Sequence, residues 1–154
     1  MCAITENGED LVFEYSDPGF CNGGFHKNVP LWKHGHMFKL EIIGARLHDI
    51  LRYPFIEERL PKLKLVKVDA EGYDLFILKD MEDIIHSRKP HILVEVYKHA
   101  SQSYREELFM FLKKHGYTLY IADEFRNLKM AQVQSPDELI RRNGTFDLFC
   151  EPYT

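Results

Sequence analysis

Cysteine is scarce in this 154-residue sequence. Cys2, Cys21 and Cys150 are odd in number and far apart, which excludes a disulfide framework and the paired spacing of a zinc ribbon or redox motif. They read as reduced thiols. Long apolar runs are missing as well: the amino terminus MCAITENGEDLVFEYS has neither a positive start nor the unbroken apolar stretch of a leader or membrane helix, and no later segment supplies one. The expected compartment is the cytoplasm, with no transmembrane segment. Basic charge is not in excess either, since 20 Lys and Arg face 24 Asp and Glu for a net charge of -4, and nothing resembles a phosphate-tracking patch. Nucleic acid is therefore not an expected partner. Glycine clusters once, in CNGGF, between two β-type runs rather than between a strand and a helix, which makes it a poor phosphate cradle. There is no internal repeat and no low-complexity tract.

What the sequence does contain is apolar mass: 45% hydrophobic and 13% aromatic residues suffice for one core, so a single domain over residues 1–154 is expected. Residues 1–62 place short β-type runs (CAI, LVFEY, MFKLEII) between the turn formers of ENGED, SDPGFCNGGF and KHGH. From Leu63 the texture changes to strand, helix, strand, helix, strand: KLVKVDA, YDLFILKDMEDIIHS, HILVEVY, SYREELFMFLKKHG, YTLYIAD. That alternation predicts an α/β fold with βαβ units and a mostly parallel sheet. The helix over YREELFMFLKKHGY has Leu108, Phe109, Phe111 and Leu112 at helical spacing, and ends in Lys113, Lys114 and His115 before Gly116, in accord with its dipole and a glycine cap. A helical turn at SPDELIRR and a last strand at GTFDLFCEP, opened by Asn143 and Gly144, complete the chain.

One strand ends in a concentration of charge. KLVKVDAEG alternates apolar and polar positions up to Asp69 and is followed by Ala70, Glu71 and Gly72, with Lys67 two residues before the first carboxylate. Ligands of open parallel sheets bind beyond the carboxyl ends of strands, where Asp69 and Glu71 would stand. Gly72 permits a positive φ or the close approach of another group at the turn into the next helix. Capping of that helix by the carboxylates is the competing structural explanation.

The stretch KVDAEGYDLFILKD followed by RKPHILVEVY resembles the core signature of the FkbM-type methyltransferases, K-x-D-x-E-G with a further acid and a leucine downstream. The matching positions are Lys67, Asp69, Glu71, Gly72, Asp74 and Leu78, then Pro90 and Glu95. CAITENGEDLVFEY, CNGGF, KLEIIGARLHDIL, KKHGYTLYIAD and GTFDLFCEP are similar to flanking segments of the same family, with Arg46 and His48 in place of its usual threonine and aspartate. The resemblance implies a Rossmann-like class I methyltransferase fold, with an antiparallel C-terminal strand in a mostly parallel sheet. It implies S-adenosylmethionine as cofactor and a hydroxyl oxygen of a small-molecule, sugar or lipid-linked acceptor as the methylated group. Catalytic roles fall on Asp69, Glu71 and Lys67: Asp69 to position or deprotonate the acceptor, Glu71 to share that task or orient Lys67, and Lys67 to pin the carboxylates by a charge-assisted bond. Cofactor contacts fall on Ala3, Asp69 and Gly72. The glycine-rich loop and acidic strand end that open such a domain are not found, so the expectation is a domain truncated at its N-terminus. Three explanations stand open: a longer protein, completion by another chain, or a lineage that has lost catalysis. Absent first strands would leave a sheet edge uncovered, an invitation to a homo-oligomer.

Two other constellations compete. His34 and His36, with His26 nearby, read as loop histidines rather than metal ligands because no acidic or cysteine partner stands at a motif spacing, and no metal site is expected; Trp32 in the same loop is a candidate apolar wall of the acceptor pocket. Glu95 interrupts an apolar strand, and Asp69, Glu71 and Glu95 with Lys98 suggest, as an alternative, a magnesium-dependent nuclease or hydrolase. A non-catalytic interaction module is the third reading.

Overall fold

The computed structural model describes residues 2–15, 38–122 and 131–153. The segments holding Cys21, His26, Trp32, His34 and His36 lie outside the described residues. The chain forms two compact units, Met1–Arg52 and Tyr53–Thr154.

The first unit contains β1 (Cys2–Ile4), β2 (Leu11–Tyr15) and β3 (Phe38–Ala45) in the order β1-β3-β2, with β1 parallel and β2 antiparallel to β3. The alternation of LVFEY and FKLEIIGA puts Phe13 opposite Leu40 and Tyr15 opposite Phe38, whose rings stack 5.5 Å apart. The loop between β1 and β2 folds against β3. Thr5 is buried there, its hydroxyl donating to the Glu9 carbonyl, and the Gly44 N–H donates to Asp10 Oδ1 at 2.9 Å. A Cβ at position 44 would fall 1.8 Å from the Glu9 carbonyl oxygen, so only glycine fits. Helix α1 (Leu47–Leu51) closes the unit.

The second unit begins with α2 (Pro54–Glu57) and a 3₁₀ turn at Leu60–Lys62. Then follow β4 (Leu65–Val68), α3 (Asp74–Asp80), α4 (Glu82–Arg88), β5 (His91–Val96), α5 (Gln102–Lys114), β6 (Tyr117–Ile121), β7 (Ala131–Val133), α6 (Pro136–Ile140) and β8 (Phe146–Pro152). The helix read over residues 73–87 is two helices. Met81, at φ -115 and ψ 25, breaks it, and sequence periodicity hides the break because Leu78, Ile84 and Ile85 stay buried across it. Helix α5 matches its pattern: Ser101 caps it by accepting the Tyr104 N–H, while Leu108, Phe109, Phe111 and Leu112 face inward. Ser135 and Glu138 form a capping box ahead of α6. No described helix is long and apolar enough to cross a membrane.

The expectation of a mostly parallel sheet is wrong. The five strands run in the order β4-β5-β8-β6-β7, and only the β4–β5 ladder is parallel. The βαβ alternation does give β4, β5 and β6 a common direction. Strand β8, however, inserts between β5 and β6 antiparallel to both, and β7 returns along the outside of β6. The architecture is α/β with mixed sheets. One face of the second sheet carries Val68, Ile92, Val94, Val96, Leu119, Val133, Leu148 and Cys150, all buried; α3 packs against β4 and β5, and α5 against β6 and α6. Burying so much aliphatic surface, at about 25 cal/mol per Å², is the main stabilising contribution here.

Candidate functional site

The opposite face of this sheet carries the charge. Strands alternate side chains between faces, and directly paired residues share one. Lys67 pairs with Leu93, Leu93 with Phe149 and Glu95 with Asp147, so these residues line one surface. Asp69 follows one step beyond β4. The group therefore sits at the carboxyl ends of β4 and β5, beside the amino end of β8.

Lys67 Nζ donates to Asp69 Oδ2 at 2.7 Å, and the two side chains remain 55% and 51% exposed. This bond raises the Lys67 pKa first of all, opposed by partial desolvation and aided by the charges of Asp69, Asp147 and Glu95. Of the two carboxylates that the sequence sets beside Lys67, the one it bonds among the described residues is Asp69 and not Glu71. Past the strand, the chain turns through Glu71 at φ 48 and Gly72 at φ 105. Of the two reasons considered for glycine at 72, the structure selects conformation: an added Cβ would stand no closer than 4.0 Å to the Tyr97 ring. Nor do Asp69 and Glu71 cap α3. Tyr73 occupies that position without a side-chain cap, and the carboxylate that takes the turn's amides is Asp74, accepting from Ala70 N–H and Gly72 N–H at 3.0 Å each.

Glu95 is the electrostatic outlier. Its Oε2 is buried without a hydrogen-bond partner among the described residues. Burial, then the charges of Asp69, Asp74, Asp147 and Glu71, push its carboxyl above the ordinary glutamate value. Asp147 is raised too, first by burial; Lys67 opposes the rise, and Asp69 and Asp74 add to it. The native state thus holds the Glu95 proton more tightly than the unfolded chain. The stability gained from that proton is complete below the unfolded value of about 4.3 and is lost as pH rises through the raised native value. Glu95→Gln, which keeps the neutral shape at every pH, is expected to melt above the wild-type protein at neutral pH and together with it under acid. Thermal denaturation of both proteins across that range checks this; a difference independent of pH would refute it.

Of the residues singled out in the sequence, Lys67, Asp69, Glu71 and Gly72 come together at this strand end, and Glu95 joins them from β5. Ala3 belongs to the first unit, half-buried on β1 opposite Gly44. Sequence reading missed Asp147, whose only signal is the alternation Phe146, Asp147, Leu148. It also named Asp74 as a motif position without giving it a task. Among the described residues, no group of three or more His, Cys, Asp or Glu is disposed to hold a metal ion. Lys98, the fourth member of the nuclease reading, is exposed, and its backbone N–H donates to Thr145 Oγ1.

The family model described as Methyltransferase FkbM domain matches residues 34–119, more than half of the chain, and spans the whole run from Lys67 to Glu95. No curated protein and no solved structure matches the chain.

Proposed function

Because the chain belongs to the FkbM methyltransferase domain family, we propose that it transfers a methyl group from S-adenosylmethionine to a hydroxyl oxygen of a small-molecule, sugar or lipid-linked acceptor. The observation that supports this most directly is the Lys67–Asp69 pair at the carboxyl end of a strand in a parallel ladder, inside the matched segment.

S-adenosylmethionine, when bound, supplies an electrophilic methyl on a positively charged sulfur. The residues present suit such a ligand, since Asp69, Glu71, Glu95 and Asp147 outweigh Lys67 and give this sheet end a negative potential that attracts a cation. In this reading Gly72 borders the cofactor and Asp69 stands between cofactor and acceptor, while Ala3 is carried as a cofactor contact by the family resemblance alone. A hydroxyl is a weak nucleophile, and Asp69 would accept its proton as the carbon–oxygen bond forms and the methyl–sulfur bond breaks, with S-adenosylhomocysteine as the leaving group. Lys67 holds the Asp69 carboxylate in place by its charge-assisted bond, and Glu71 orients the acceptor from the turn. Gly72 keeps that turn narrow. The Rossmann-like class I arrangement belongs to the same proposal: it is supported by the common direction of β4, β5 and β6, with α3, α4 and α5 in the connections.

Titration calorimetry tests the proposal. Saturable heat is expected with S-adenosylhomocysteine, and transfer of labelled methyl from S-adenosylmethionine to a hydroxylated acceptor drawn from sugar and lipid-linked panels should follow. Heat with Mg²⁺ alone would replace the proposal with the nuclease or hydrolase reading. Heat with neither would leave a non-catalytic interaction module.

A further inference from the structure

We propose that Asp74 is the positioning residue of this site: a buried carboxylate that holds the 69–72 turn and thereby aims both Asp69 and Glu71. The inference rests on the reading of those two residues as the acceptor-side carboxylates.

Asp74 is the first residue of α3 and is 0% exposed. A carboxylate so buried requires partners, and both of its oxygens have one. Oδ1 accepts the Ala70 N–H and Oδ2 the Gly72 N–H, each at 3.0 Å. The Ala70 nitrogen belongs to the peptide plane that follows Asp69, and the Gly72 nitrogen to the plane that follows Glu71. One side chain thus fixes the backbone rotation on the carboxyl side of each functional residue. It also holds Glu71 at φ 48, which residues with a side chain rarely adopt. The grip is itself anchored, because the next amide, Leu75 N–H, donates to the Tyr104 hydroxyl of α5 at 3.0 Å. Burial, with Asp74 among the nearby charges, raises that hydroxyl to about 12, so it stays a neutral partner. Asp74 acts only through the turn, which separates its task from that of Asp69.

Two measurements by nuclear magnetic resonance need neither cofactor nor acceptor. One is amide hydrogen exchange at Ala70 and Gly72; the other is the orientation of the Asp69 and Glu71 Cα–Cβ bonds, read from residual dipolar couplings. In the wild-type protein both amides are expected to be protected, and unprotected amides would overturn the proposal without any variant. Asp74→Asn keeps the shape but replaces one acceptor oxygen by an NH₂ group. It is expected to exchange both amides faster, about tenfold at the one whose acceptor oxygen is lost, and to turn the Asp69 and Glu71 Cα–Cβ bonds while exchange in α5 stays unchanged. Asp74→Glu, which keeps the charge and displaces the oxygens, should lie between the two, and it serves alone if the asparagine variant does not fold. Cα–Cβ bonds that keep their orientation while the amides loosen would show a merely structural role and overturn the proposal, as would unchanged amides. A wild-type protein that binds no S-adenosylhomocysteine would defeat the methyl-transfer reading, whereas the exchange and coupling results would still decide what Asp74 does.

Discussion

Asp69→Asn is expected to lower kcat for methyl transfer by about 10²- to 10⁴-fold, the usual contribution of a positioned general base. Asparagine matches the carboxylate in size and can still accept a hydrogen bond from Lys67, but it cannot take the acceptor's proton. The loss therefore falls on the chemical step, and S-adenosylhomocysteine affinity should change far less than turnover. Stability should hardly move. The Lys67–Asp69 pair is about half exposed, and exposed pairs of this kind are screened by water and add little to stability. Glu71→Gln should cost less than Asp69→Asn, because the proposal has Glu71 orient the acceptor rather than take its proton. Single-turnover transfer, with calorimetry and melting on the same samples, separates these effects. An active form of the protein whose turnover survives both substitutions would remove Asp69 and Glu71 from the mechanism.

How much of this was legible in advance depends on whether the cause is local. The strand read up to Asp69, which ends one residue earlier at Val68, the positive φ that is one of two readings of Gly72, and the helix over YREELFMFLKKHGY all follow from residues within a few positions of one another. The insertion of β8 between β5 and β6 follows from no such pattern. GTFDLFCEP reads as a strand on its own, but which strands it joins is decided by packing across the whole second unit. The same distance hides the site's electrostatics. Glu95 stood out as a carboxylate in an apolar strand, yet its neighbours come from β8, from the turn after β4 and from α3. Asp74 looks in sequence like any acidic residue at the start of a helix; only the turn's backbone angles bring two amides to its oxygens.

Arg105 shows the same concealment and carries the largest expected effect on stability. In YREELFMFLKK it passes for a charged surface residue, but it is 5% exposed. Among the described residues it has no carboxylate partner; it spends its guanidinium on carbonyls. Nη1 donates to Leu139 O and Arg142 O at 2.7 Å each, and Nη2 makes longer bonds of 3.4 Å to Tyr97 O and Lys98 O. The ring of Phe146 lies 5.5 Å from its guanidinium carbon. Burial lowers its pKa without uncharging it. One fork thus ties the end of α6 to the loop that leaves β5, and that loop carries the Tyr97 ring beside Gly72. Replacing a buried charge by an apolar residue removes a desolvation cost and is sometimes neutral. Here it also strands two carbonyls with short bonds, each costing about 1 to 3 kcal/mol when left unsatisfied. The second effect wins: Arg105→Met is expected to destabilise the fold by about 3 kcal/mol and to lower Tm by about 6 to 12 °C. Arg105→Lys should recover little, since one ammonium cannot span carbonyls on two segments. Thermal unfolding gives the size of the effect, and amide exchange at residues 97–101 its location. A methionine variant that melts with the wild-type protein would show that water replaces the fork without penalty, and that the loop after β5 owes its position to something else.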